Sequence, residues 1–121
     1  MAVILIADDE PWLRLWLAQI LHRAGHTCSA VADGASVVEY ALALDPHLVI
    51  LDIHLPDIDG VEVAHRLRIL PNTQQIPILF ITGALEAAQR IAAARIERSA
   101  CLLKPFDAED LLHTLRRLLG L

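Results

Sequence analysis

Five short apolar runs, separated by stretches of helical period, restrict what this chain can fold into more than any other feature. The strongest is Leu48-Val49-Ile50-Leu51-Asp52, four apolar residues without polar alternation that end on a carboxylate. An unbroken run of this length reads as a strand buried on both faces. Val3 to Ala7, Thr27 to Ala32, Pro77 to Thr82 and Ala100 to Leu103 read as the other four strands. Between the first two, Leu13, Trp16, Leu17, Ile20, Leu21 and Ala24 fall on one helix face, closed by Gly25. Asp33-Gly34 opens a second helix to about Leu44, stopped by Asp45-Pro46. After Pro56-Asp57-Ile58-Asp59-Gly60, a third carries Val63, Ala64, Leu67 and Leu70 and halts before Pro71. Glu86 to about Arg98 is Ala-rich and helical by propensity. Asp107 is placed to N-cap a last helix striped with Leu111, Leu112, Leu115, Leu118 and Leu119.

Strands alternating with helices imply an α/β fold with a parallel sheet covered on both faces, and right-handed crossovers favour a doubly wound sandwich. In such folds the site lies beyond the carboxyl ends of the strands. The 121 residues show no repeat or linker, so 1–121 reads as a single domain with no room for an effector domain. A chain of this size buries a core without a disulfide or metal staple, and two cysteines make no framework. A net charge of −5 disfavours direct nucleic-acid binding. The N-terminal apolar run meets Asp8 and Asp9 too soon for a signal peptide or membrane span. The expectation is a cytoplasmic protein with no membrane association.

The residues that end the strands carry the chemistry. They are Asp8 and Asp9, Asp52, Thr82, and Lys104, the one lysine beside nine arginines. Three carboxylates on one rim repel one another and raise one another's pKa values. A cation relieves this, and all-oxygen ligands with waters suit Mg²⁺ better than zinc or copper. A divalent metal, a lysine and a hydroxyl together complement a phosphoryl group in transfer. Asp52, ending the central strand, is the natural nucleophile, forming an acyl phosphate.

These residues carry a resemblance. The blocks Ala7-Asp8-Asp9-Glu10, Leu51-Asp52 with Pro56 and Asp59-Gly60, Ile81-Thr82-Gly83 and Leu103-Lys104-Pro105-Phe106 stand in order across the chain. It resembles a response-regulator receiver domain of two-component signalling, of the chemotaxis-receiver type. The resemblance implies a flavodoxin-like three-layer sandwich with five helices and strand order 2-1-3-4-5. It implies that Asp52 accepts a phosphoryl group from a phosphohistidine on a sensor histidine kinase or histidine phosphotransfer protein. Asp8, Asp9 and Asp52 would hold Mg²⁺, Asp8 mostly through water, with the backbone carbonyl of His54 completing the protein ligands. Thr82 would donate its hydroxyl to the phosphoryl group, and Lys104, before a cis Pro105, would pair with a phosphoryl oxygen. Phosphorylation would then change protein–protein contacts at the face of the fourth helix, fifth strand and fifth helix. The domain would be a phosphoacceptor switch rather than an enzyme, acting on a downstream protein target or a second copy of itself.

The sequence also departs from that family. Cys101 stands where the family usually places a Tyr or Phe switch residue, and Glu97 where it usually has Gly. His54 and Ala84 occupy the two positions that tune dephosphorylation. In the implied strand order Cys28 and Cys101 lie on opposite edges, roughly 19 Å apart, too far for a disulfide. Trp12 lies off the helix stripe and reads as core packing, a lid over the site or a partner anchor. His22, His26, His47, His65 and His113 show no ligand spacing and read as solvated. The alanines from Ala87 to Ala94 form a low-relief helix face that suits docking or core contact.

Three other functions compete. A flavodoxin-like binding module needs a phosphate cradle where this chain has Asp8-Asp9-Glu10. A haloacid-dehalogenase-type phosphatase needs an Asp where this chain has His54. A receiver-fold docking module acting independently of phosphorylation is the remaining alternative, and Cys101 is what favours it.

Overall fold

The structure, a computed structural model, describes residues Met1–Leu121. Its elements run β1 (Val3–Ala7), α1 (Pro11–Arg23), β2 (Thr27–Val31), α2 (Gly34–Leu44), β3 (Leu48–Asp52), α3 (Gly60–Ile69), β4 (Ile78–Thr82), α4 (Leu85–Ala94), β5 (Ser99–Leu103) and α5 (Ala108–Leu119). The strands form one parallel sheet in the order β2-β1-β3-β4-β5. This is the doubly wound α/β sandwich that the alternation of periods predicts.

Each strand sends alternate side chains to opposite faces. Ile4, Ile6, Leu48, Ile50, Leu79 and Ile81 meet Leu13, Leu17 and Leu21 of α1 and Leu111 and Leu115 of α5. Leu5, Ala7, Val49, Leu51 and Phe80 face the other way, against Val37, Val63, Leu67 and Ile91 of α2, α3 and α4. The two cores flank β1, β3 and β4, which are buried throughout except at Val3. The edge strands β2 and β5 are only partly covered. Cys28 and Cys101 lie on these two edges and are both free.

Several expectations need correction. The fourth helix ends at Ala94, not near Arg98, because Arg95 and Arg98 adopt left-handed backbone (φ 49° and 54°). Long-range contacts hold that turn against the helical propensity of its sequence. Arg68 of α3 donates to the carbonyls of Ile76 and Glu97, both at 2.7 Å. The Ile78 N–H bonds the Arg98 carbonyl, so β5 starts at Ser99 to pair with β4. Leu70 caps α3 in extended backbone rather than extending its buried stripe. Trp12 is not core, being 61% exposed. His26 is buried, and its Nδ1 accepts the Ala2 N–H at 3.0 Å. His47 is exposed, but its Nδ1 accepts the Val3 N–H at 2.9 Å. These two imidazoles satisfy amides at the start of β1, a role that ligand spacing does not reveal.

Candidate functional site

Because the strands are parallel, their carboxyl ends open on one rim. Asp52 ends β3 and Thr82 ends β4, while Asp8 and Lys104 directly follow β1 and β5. The Lys104 N–H bonds the Thr82 carbonyl at 2.8 Å, which continues the ladder one residue past β5. Carboxylate oxygens of Asp8, Asp9, Glu10 and Asp52 all lie within 4.8 Å of one another. Lys104 Nζ stands among them, 3.3 Å from Glu10 Oε1, 3.4 Å from Asp52 Oδ2 and 3.7 Å from Asp8 Oδ2. Asp9, Glu10, Asp52, His54, Ala84 and Lys104 line a cleft of about 420 Å³.

The local sequence explains these positions. Asp52 is 4% exposed, and its Oδ1 accepts the His54 N–H at 3.1 Å. Gly60, the first residue of α3, lies directly against this turn and its N–H bonds the Ile53 carbonyl at 2.8 Å. A Cβ on Gly60 would come within 2.5 Å of the Asp52 carbonyl oxygen. Asp59 N-caps α3 and also pairs with Arg90 of α4 at 2.8 Å. In the same loop, Asp57 receives the Gly34 and Ala35 N–H groups at 2.7 and 2.9 Å, so it caps α2 from 23 residues away. Trp16 packs on Phe106 with ring centroids 5.7 Å apart, anchoring the chain just past the cis Lys104-Pro105 bond.

The electrostatics follow from this crowding. Burial, opposed by the Glu10 N–H bond and reinforced by the charge of Asp52, raises the Asp8 carboxyl from 3.8 to about 6. Partial burial works against the charge on Lys104, yet Asp52, Asp8 and Glu10 outweigh it and raise the ammonium above its ordinary value. The Trp12 hydrogen bond, and after it Lys104, hold the Glu10 carboxyl below the usual range. Asp8 is fully buried, and its Oδ2 has no hydrogen-bond partner, Lys104 at 3.7 Å being too distant. A buried, unpartnered carboxylate oxygen beside two further aspartates is a donor set that fits a hard divalent cation.

The structure thus brings Asp8, Asp9, Asp52 and Lys104 together. Thr82 lies at the same rim but is fully buried, its Oγ1 accepting the Ala84 N–H at 3.2 Å. The His54 side chain is exposed and lines the cleft. Three contacts escaped the sequence reading. Glu10 binds Lys104, Trp12 binds Glu10, and Arg14 of α1 donates to the Asp8 carbonyl at 2.7 Å. The acidic triplet Asp8-Asp9-Glu10 was the available signal for the first.

Comparison with known proteins accounts for this arrangement. The family model described as "Response regulator receiver domain" matches residues 4–116. The chain belongs to that family. Receiver domains are the phosphoacceptor signalling domains of two-component response regulators, and they interact with histidine kinases or phosphotransfer proteins. The chain is 35% identical over 116 residues to the DNA-binding dual master transcriptional regulator RpaA of Synechocystis, covering 96% of this chain and 48% of that protein. It is 38% identical over 117 residues to the transcriptional regulatory protein TcrA of Mycobacterium tuberculosis, covering 95% and 45%. It therefore spans about half the length of these curated relatives. A putative response regulator from Chloroflexus aurantiacus superposes with a TM-score of 0.90 at 29% identity, covering 99% and 98% of the two chains. The receiver domain of a sensor histidine kinase from Pseudomonas aeruginosa superposes at 0.89 with 27% identity, again over 99% and 98%. That structure has a magnesium ion coordinated in its active site cleft. No helix of the present receiver is long and apolar enough to cross a membrane.

Proposed function

We propose that residues 1–121 act as one cytoplasmic receiver unit in which Asp52 accepts a phosphoryl group from a phosphohistidine of a sensor kinase or phosphotransfer protein. The observation that carries this reading is the grouping of Asp52 and Lys104, 3.4 Å apart, beside the unpartnered Oδ2 of Asp8. An Asp52 carboxylate oxygen forms the new O–P bond while the P–N bond of the donor breaks and the imidazole leaves with the electron pair. His54 N–H fixes Oδ1 of Asp52, which leaves Oδ2 facing the cleft beside Lys104. Lys104 pairs with a phosphoryl oxygen, and Thr82 turns its hydroxyl hydrogen toward another. Asp8, Asp9, Asp52 and the His54 backbone carbonyl are the residues that would hold Mg²⁺. When bound, Mg²⁺ supplies the positive charge that offsets the carboxylates and the transferring group.

The output of this switch is a change in protein–protein contacts at α4, β5 and α5, toward a downstream protein or a second copy. With a net charge of −5, the unit itself is read as a protein-binding rather than a nucleic-acid-binding module. The DNA binding in the name of RpaA belongs to a protein of about twice this length. Incubation with Mg²⁺ and acetyl phosphate, followed by intact mass, tests the reading. One added phosphoryl group that Asp52→Ala abolishes supports it. Failure both to load and to bind trifluoroberyllate with Mg²⁺ overturns it in favour of a phosphorylation-independent docking module.

A further inference from the structure

Of the three carboxylates that face Lys104, Glu10 alone is held by a second side chain; the other bonds to Asp8 and Asp52 come from backbone N–H groups. Its Oε1 receives Lys104 Nζ at 3.3 Å, and its Oε2 receives the Trp12 indole N–H at 2.8 Å. Trp12 gains little burial in this position. Its one polar group is committed to a carboxylate two residues earlier, at the lip of the cleft that Asp52 lines.

We infer that Trp12 and Glu10 are a positioning pair that restrains Lys104 and slows the acceptance of a phosphoryl group by Asp52. This rests on the phosphoacceptor reading above. Two effects of Glu10 act in the same direction. It occupies an N–H donor of Lys104 that an incoming phosphoryl oxygen needs. Its own negative charge, partly exposed beside Asp52, also repels an anionic donor. Removing one such like charge a few ångströms away, in largely aqueous surroundings, changes the rate by roughly fivefold. Trp12 acts only through Glu10, because its N–H keeps the carboxylate turned toward Lys104. Asp8 has no such tether, and its Oδ2 is left without a hydrogen bond, as an oxygen that would hold a cation.

The test measures the loading rate of the full chain with acetyl phosphate and Mg²⁺ by intact mass. Glu10→Gln should load roughly fivefold faster. Trp12→Phe keeps the ring but loses the donor, and should load about twofold faster because only the tether is removed. The double variant should be no faster than Glu10→Gln, since the two residues act in series. With phosphoramidate, which carries less negative charge, the gain from Glu10→Gln should shrink. A proton–nitrogen spectrum adds a readout independent of loading. The indole cross-peak missing from Trp12→Phe should shift in Glu10→Ala, while that of Trp16 stays in place. A wild type that loads, with variants equally fast or slower, overturns the pair and leaves Asp52 as acceptor. Additive gains in the double variant, or an indole peak that ignores Glu10→Ala, also overturn it. A wild type that neither loads nor binds trifluoroberyllate removes both readings.

Discussion

Gly60 lies so close to Asp52 that a single added methyl group would reach to 2.5 Å from the Asp52 carbonyl oxygen and 2.8 Å from the Ile53 Cα. Both obstacles are backbone, so neither can swing aside as a flexible side chain would. Helix α3 can therefore begin where it does only with glycine at its first position.

Gly60→Ala should consequently push the turn that carries Asp52 out of register with Lys104. The expected cost is about 1–3 kcal/mol, the usual range for overpacking. Urea denaturation measures that loss. Phosphoryl loading of the folded fraction should fall as well, because the displaced group is the proposed acceptor. An unchanged denaturation midpoint would contradict the close approach.

Asp8 sets the second expectation. Asp8→Asn keeps the shape and the acceptor for the Glu10 N–H but removes a buried charge whose Oδ2 has no hydrogen bond. The metal-free variant should be more stable than wild type at neutral pH by about 1–3 kcal/mol. Mg²⁺ should then raise the melting temperature of the wild type and leave that of the variant nearly unchanged. Paired thermal melts with and without Mg²⁺ read both effects.

The same carboxyl predicts a pH dependence. Its folded-state value of about 6 stands above the ordinary 3.8, so the metal-free fold binds this proton more tightly than the unfolded chain. The stabilisation is complete below 3.8 and is lost as pH rises through about 6. Mg²⁺ must displace that proton, so its affinity should fall roughly tenfold per pH unit once the pH is below 6. Calorimetric titration with Mg²⁺ measures this, and Asp8→Asn should flatten the slope.

His26 works in the opposite sense. Burial, and next the nearby N-terminal ammonium, lower its pKa below 6.5, and its Nδ1 must be unprotonated to accept the Ala2 N–H. This contribution is fully present above 6.5 and disappears as pH falls through the lowered value. His26→Asn places an oxygen where Nδ1 stood and does not titrate. It should therefore abolish the acid-side loss in a urea series between about pH 7 and pH 5. A variant that loses stability along with the wild type would contradict the capping role.

The periodicity of the chain revealed the five strands, their parallel arrangement and the rim on which Asp8, Asp9, Asp52, Thr82 and Lys104 gather. Strand interiors are legible because burial on both faces leaves a continuous apolar signature. The end of α4 was not, since Arg68 fixes that turn from another helix and local propensity favours continuation. The bond of Trp12 to Glu10 and the capping imidazoles were missed for a related reason. Each rests on one hydrogen bond to a group that no apolar pattern marks. Asp57 is the extreme case, an exposed loop carboxylate that binds two amides 22 and 23 residues distant besides that of its neighbour Ile58.

The position of β5 at the edge of the sheet has its own consequence. Of the strand ends that build the rim, only the one that delivers the compensating cation hangs from an edge strand with a single neighbour. Should β5 peel away from β4, the three aspartates would remain assembled on the interior strands while Lys104 departed with the edge. Charge balance at the rim is thus hinged on an edge of the sheet, which opens with less loss of burial than its interior strands.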